Sequence, residues 1–352
     1  MTYKETLFFV AKCLTISLEE KSKQEIEAKL QSEEIDWDAV VKVSTGHYVF
    51  PALYCNLKRM DLLKHVPADL VEYMKHIADL NRERNIQIIE QAKALNQLLL
   101  ANNITPVFLK GTGNLLEGLY EDVAERMVGD IDFLFSEKDF FRAIDILKKG
   151  NYTIPDNQLE YFSGFRHYPR LVKPEKIAAV EVHKEMIIEK YRNEFNYIII
   201  SKDAKKTKDF SVLNFENQLS LSIISSQVND YGFEFNKFSL RNAYDVFLLS
   251  KKVNTKKAIS KFTKLKNPLN CFLANCHLVF GDVDSLAFYK TKESDKYLKA
   301  FNKSILKRKF NLIIYFKTII IIFKRRFIIV CRSVFNTENR KWLLKRIKNK
   351  IN

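Results

Sequence analysis

Apolar positions in the first hundred residues recur at helical spacing. Leu7, Phe8, Val10, Ala11, Leu14 and Ile16 open the chain this way. Ile77, Leu80, Ile86, Ile88, Ile89, Ala92, Leu95, Leu98 and Leu99 continue it across residues 70–100, with Pro51 and Pro67 as punctuation. The texture changes near residue 103. A polar turn, Pro106, a short apolar run and Gly111 predict a buried strand at 107–109 that ends in a tight turn. A helix with Leu115, Leu116 and Leu119 on one face follows, with Thr112 expected at its N-cap. A second strand is predicted at 130–135 after a turn at Gly129. Phe140, Phe141, Ile144 and Leu147 then form the stripe of a helix stopped by Gly150. Residues 167–173 and 178–186 are strand candidates separated by a Lys-Pro-Glu-Lys turn, and helical spacing returns over 218–228 and 239–253.

Strands alternating with helices over about 100 residues predict an α+β fold, a mixed sheet with helices packed on it. Four regions follow: a helical region at 1–100, a core at 101–205, a second helical region at 206–300 and a basic tail at 301–352. The chain is 47% hydrophobic, enough for a substantial core, so wholesale disorder is excluded. With 9 Gly and 7 Pro, collagen-like and low-complexity architectures are excluded too. The Lys-, Ile- and Asn-rich composition fits an AT-rich bacterial source.

A net charge of +16 suggests a nucleic-acid partner until its distribution is examined. Residues 301–352 hold 15 Lys and Arg against one acid, Glu338, so that segment carries +14 and the rest only +2. A nearly neutral body disfavours a broad RNA groove. Within the tail, residues 312–332 read as a helix with Lys317, Lys324, Arg325 and Arg332 within about one third of its circumference. Three readings stand: a buried helix closing the second helical region, a basic amphipathic helix on an anionic membrane surface aided by 340–350, or a nucleic-acid contact. Five scattered cysteines do not make a disulfide framework and fit a reducing cytosol. Cys271, Cys276 and His277 have a metal-like look but lack the second pair that zinc spacing requires. The N-terminal apolar run lacks a basic flank and a cleavage site and reads as a helix. No stretch reaches 18 uncharged apolar residues, so an ordinary membrane span is not expected. Together these predict a cytoplasmic protein, peripheral at the inner membrane face if the tail binds lipid.

Chemistry concentrates around Asp130-Ile131-Asp132. On a strand, side chains alternate, so both aspartates share a face while Ile131 and Phe133 point to the core. Adjacent carboxylates repel unless a cation intervenes, and Mg²⁺ prefers such hard oxygen ligands. Glu181 and His183 share a face of a later strand, and Glu181 is a candidate third ligand or base. Lys110, Gly111 and Thr112 form a strand-turn-helix corner with a flexible backbone, a hydroxyl and a positive charge, all suited to phosphate.

Leu109-Lys110-Gly111, then Leu119-Tyr120, Arg126, Asp130-Ile131-Asp132 and Glu181-Val182-His183, resemble the uncharacterised nucleotidyltransferase family of the DNA polymerase β-like nucleotidyltransferase superfamily. The likeness is sharpest over 105–136 and fades toward 250. It implies Mg²⁺- or Mn²⁺-dependent transfer of an NMP from an NTP to a hydroxyl acceptor, with Asp130, Asp132 and Glu181 as catalytic metal ligands. Lys110, Gly111, Thr112 and Arg126 would contact the nucleotide phosphates, with pairing to an acid as the alternative for Arg126. The acceptor is open between a sugar or small molecule, a protein hydroxyl and an RNA end, and analogy with related proteins puts a sugar or glycan precursor first. Thr112 stands where the superfamily pattern has Ser, and it lies 18 residues before Asp130. Arg241 and Asp245 match a downstream Arg…Asp helix, whereas residues 222–230 lack the histidine often found there. A catalytically silent nucleotide-binding or membrane-peripheral adaptor is the competing class.

Overall fold

The computed structural model describes residues 1–32, 34–155, 165–206, 209–306, 312–337 and 340–344. The chain begins with α1 (Tyr3–Cys13), where Thr2 and Glu5 form a reciprocal capping box. Helices α2 (Glu20–Ser32), α3 (Trp37–Gly46) and α4 (Phe50–Arg59) follow, and then α5 (Ala68–Leu100), 33 residues long. Strand β1 (Val107–Phe108) leads through α6 (Lys110–Glu117) to β2 (Asp130–Leu134) and α7 (Glu137–Lys149). After β3 (Ala179–His183) come α8 (Tyr197–Ser201), β4 (Lys205–Lys206) and β5 (Ser211–Val212). The chain continues through α9 (Phe215–Ile224), α10 (Gly232–Phe235), α11 (Leu240–Ser250), α12 (Thr255–Ser260), α13 (Lys266–Phe280), α14 (Lys292–Leu306) and α15 (Leu312–Phe335).

The five strands form one mixed sheet in the order β3-β2-β1-β5-β4. β2 runs antiparallel to β1 and parallel to β3, with Asp132 opposite Glu181 and Leu134 opposite His183. Phe108 on β1 meets Phe133 on β2 edge-on at 5.3 Å, and Phe133 meets Phe135 at 5.5 Å. These rings are fully buried and fix the two strands that carry the acids. The architecture is the α+β sheet with flanking helices that the alternation predicts.

Helix α5 sets the position of several loops. Its buried face mixes Met74, Ala78, Ile88, Ala92, Leu95 and Leu99 with Asn81, Asn85, Gln91 and Asn96. Asn81 donates to the Ala124 carbonyl at 2.6 Å, and Asn85 donates to the carbonyls of Val123 and Arg126 at 2.5 and 2.7 Å. Gln91 both donates to and accepts from the backbone of Ala178, and Asn96 donates to the Asp209 carbonyl. Buried backbone groups without secondary-structure partners need such side chains. One helix therefore anchors the segments leading into β2, β3 and β5.

Some elements differ from the sequence reading. Residues 167–173 make isolated bridges, His167 to His183, Leu171 to Val180 and Val172 to Thr153, and Pro169 has no N–H to join them into a ladder. The helix expected over 218–228 is α9 followed by a π turn at Ser225–Asn229. Strands β4 and β5 were not foreseen, and β5 carries the sheet past residue 205. Helix α1 packs on α13 and α14, so the two helical regions meet. His277 lies 3.3 Å from Asp282, and burial pushes the Cys271 thiol up to about 12; among the described residues the His, Cys and carboxylate groups close enough to share a metal ion are Asp132, Glu181 and His183. Among the described residues, no helix is long and apolar enough to cross a membrane. Helix α15 is not the buried helix considered for the tail: Phe316, Phe323 and Phe327 are exposed.

Candidate active site

The turn after β1 is tightly constrained. Lys110 adopts the left-handed backbone region at φ 51°, and a Cβ on Gly111 would lie 2.9 Å from Val128 Cγ2. A Cβ on Gly113 would lie 2.9 Å from the Phe108 carbonyl oxygen, so the first turn of α6 packs directly on the strand end. The turn sends Lys110 across to the acids, with Nζ 2.6 Å from Asp132 Oδ1 and 3.6 Å from Glu181 Oε2.

Thr112 departs from its expected place. It lies inside α6 rather than at the N-cap, which is Leu109. Its fully buried hydroxyl donates to the Asp130 carbonyl at 2.8 Å. This bond ties α6 to the start of β2. Thr112 does not line the cavity described below and offers no donor there.

The parallel register of β2 and β3 collects the acids. Asp132, Glu181 and His183 are buried and offer ligand atoms within 4.8 Å of one another. His183 Nε2 lies 2.8 Å from Asp132 Oδ1 and 3.3 Å from Glu181 Oε2. Asp130, half-buried one step up the strand, pairs with Arg170 at 2.9 Å, and the same guanidinium donates to Glu181 Oε1 at 2.8 Å. Thus the three predicted carboxylates come together, bridged by Lys110 and Arg170. Burial and the nearby Glu181 raise the Asp130 carboxyl to about 6, against the pull of Arg170. Burial also opposes ionisation of Glu181, but the His183 hydrogen bond and Lys110 hold it well below the usual carboxylate range.

Arg126 resolves into one of its two expected roles. Its buried guanidinium pairs with Asp245 on α11, Nε lying 2.9 and 3.1 Å from the carboxylate oxygens. Tyr120 donates to the same carboxylate at 2.7 Å. The pair joins the core to the second helical region, and the Arg126 charge is already matched there.

These groups line a cavity of about 340 Å³. The acids, Lys110 and Gly111 form one side, and Arg166, Asn229, Asp230 and Arg241 contribute another. The π turn at the end of α9 brings Asn229 and Asp230 to the cavity, a distortion common at functional sites. Asn229 is held by a 2.9 Å bond to the Met186 carbonyl, and Arg241 Nε has no hydrogen-bond partner among the described residues. Burial raises the Asp230 carboxyl. Sequence reasoning missed Arg170, Arg166, Asn229 and Asp230, which come from irregular segments. It placed His183 on the Glu181 face by period two without including it in the site.

Carboxylates gathered beside a glycine turn, in a polar cavity where the Arg241 Nε donor is unused, suit the handling of polyanionic phosphates and cations. A family model described as an uncharacterised nucleotidyltransferase matches residues 33–281. No curated protein and no solved structure matches the chain. The matched span covers the sheet, the acidic corner and the cavity wall from α11, so the chain belongs to the uncharacterised nucleotidyltransferase family and is a nucleotidyltransferase enzyme.

Proposed function

We propose that this enzyme moves an NMP from an NTP to a hydroxyl acceptor with Mg²⁺ or Mn²⁺, using Asp130, Asp132 and Glu181. The observation that carries the reading is the convergence of these carboxylates on the paired faces of β2 and β3, at the wall of the cavity. Hard oxygen donors suit either ion, and the charge they concentrate is now balanced by Lys110 and Arg170. A bound ion supplies Lewis acidity and charge neutralisation at the phosphates.

The chain's own groups supply the rest. Gly111 lines the cavity with bare backbone that a phosphate can approach, and Arg241 brings a cation with an unused donor. Lys110 is placed to exchange its carboxylate contacts for phosphate contacts when nucleotide enters. Thr112 acts through Asp130, by holding its backbone. His183 orients Asp132 and Glu181 through one ring nitrogen. In the reaction, the acceptor oxygen bonds to the α-phosphorus and the bond from that phosphorus to the pyrophosphate oxygen breaks. The acceptor proton passes to a carboxylate of the corner. Asn229 and Asp230 suit a polar acceptor such as a sugar or glycan precursor.

The test is pyrophosphate release from each of the four NTPs, with extract fractions as acceptor source and with Mg²⁺ or chelator. Metal-dependent release that disappears in Glu181→Gln is expected. Nucleotide binding without release under every condition would favour the silent nucleotide-binding class instead.

A further inference from the structure

Among the described residues, α15 exposes a run of large apolar side chains, and the nucleotidyl-transfer chemistry makes no use of it. Phe316, Ile320, Phe323, Phe327, Val330 and Val334 are all exposed, Phe323 by 68% and Phe327 by 60%. Their spacing alternates four and three, so on an α-helix they form one continuous stripe. Phe323 and Phe327 stack at 6.5 Å along it. Elsewhere the helix does meet the protein. Ser333 is buried, and Arg332 pairs with Glu189 at 2.5 Å. The helix thus presents a fixed apolar edge rather than burying it, and a stripe of this length marks an interaction surface.

The borders of the stripe decide what covers it. Arg326 is exposed on one border of the stripe, and the sequence of the helix holds four further cations, Lys317, Lys324, Arg325 and Arg332. The 24 residues of α15 contain no acid. The four-three spacing is also that of a coiled-coil seam, but a second copy would set these basic flanks against each other without a compensating carboxylate. A nucleic-acid duplex matches the charges but keeps its bases stacked, and it would leave Ile320, Val330 and Val334 uncovered beside the rings. A lipid surface with anionic headgroups satisfies both: the rings and aliphatic chains enter the acyl boundary, and the flanking cations meet headgroups. The +14 charge of residues 301–352 adds long-range attraction.

We infer that α15 is a membrane-docking helix that lies in the plane of an anionic bilayer with the Phe316–Val334 stripe toward lipid. The inference rests on exposure and charge, not on the proposed transfer reaction. It also has a consequence for the cavity. Arg332 holds Glu189, and Phe165 packs edge-on against Trp342 at 5.8 Å. Phe165 adjoins Arg166 and His167 on the cavity wall, so docking brings that wall to the bilayer.

The test is co-sedimentation of the full chain with phosphatidylcholine vesicles, with and without phosphatidylserine, at low and high salt. Binding only to the anionic vesicles, weakened by salt, is expected. Arg326→Glu should weaken it by more than about fivefold, the value of roughly one basic residue near such a surface. Phe323→Ser with Phe327→Ser should reduce it further, with an unchanged circular dichroism spectrum and unchanged pyrophosphate release in solution. Wild-type binding by the phenylalanine double variant would overturn the inference, since the stripe would then not enter lipid. So would absence from anionic vesicles together with a dimer that the double variant dissolves, or with binding to a DNA duplex that the double variant retains.

Discussion

The two long helices, α5 and α15, use their side chains in opposite ways. Helix α5 buries Asn81, Asn85, Gln91 and Asn96, while α15 exposes Phe316, Phe323 and Phe327. A polar side chain is buried when backbone groups need partners, and an apolar one is left outside when its partner is another molecule. Helix α5 earns its central place by holding the loops that carry Arg126 and Ala178 against the sheet. Helix α15 meets the body near Glu189 and Ser333 and leaves its apolar stripe outside. Position relative to the sheet, not hydropathy, separates the roles.

The largest effect expected from breaking this contrast lies in α5. Asn85→Leu strands the Val123 carbonyl and leaves the Arg126 carbonyl only the longer 3.3 Å bond from Asn81. Burying one unsatisfied carbonyl and weakening the bonding of the other should cost about 2–4 kcal/mol, read as a lower urea midpoint with unchanged slope. Activity should fall with it, because Arg126 and the start of β2 lose their support. A midpoint within error of wild type would show that water replaces the amide.

A smaller effect is expected where α5 supports the acids. The Asp130 carboxyl is raised from 3.8 to about 6, so the folded protein holds this proton over a range in which the unfolded chain has lost it. The associated stability is fully present below pH 3.8 and is lost as pH rises through about 6. Without metal, Asp130→Asn should therefore be more stable than wild type above about pH 6, by up to ~2 kcal/mol. The difference should vanish near pH 4. Thermal melts from pH 4 to 8 read the sign directly, and a gain that grows toward low pH would contradict the raised carboxyl. The smallest effect belongs to α15: Phe327→Ser should change unfolding stability by less than about 0.5 kcal/mol, since the ring has little protein contact to lose. A loss of several times that amount would mean that the ring packs against the protein after all.

The same contrast explains what could be read from the chain alone. Period-two alternation around Ile131 and Phe133 put Asp130 and Asp132 on one face, and the same rule put Glu181 beside His183. Regular periodicity transmits such placements faithfully. Thr112 was misplaced because N-capping and a bond to a neighbouring strand call for the same hydroxyl, and only the distance to Asp130 separates them. Arg170 follows Pro169 in a segment with no ladder to give it a face, so its bridge between Asp130 and Glu181 left no pattern. Strands of two residues, β4 and β5, are too short for any alternation to register. The asparagines of α5 resemble a solvated face because their partners, Val123, Ala124 and Arg126, lie some forty residues away.

The central claim is that the corner of Asp130, Asp132 and Glu181 holds the divalent ion that serves the nucleotide. Its most direct test is titration of Mn²⁺ into the protein with a non-hydrolysable NTP analogue, followed by the loss of the free-ion electron paramagnetic resonance signal. Wild type should bind Mn²⁺ saturably with the analogue present, and a folded Asp132→Asn protein should lose that binding. Equal Mn²⁺ affinity in the two proteins would contradict the account, because the ion would then reside away from the buried carboxylates of β2 and β3.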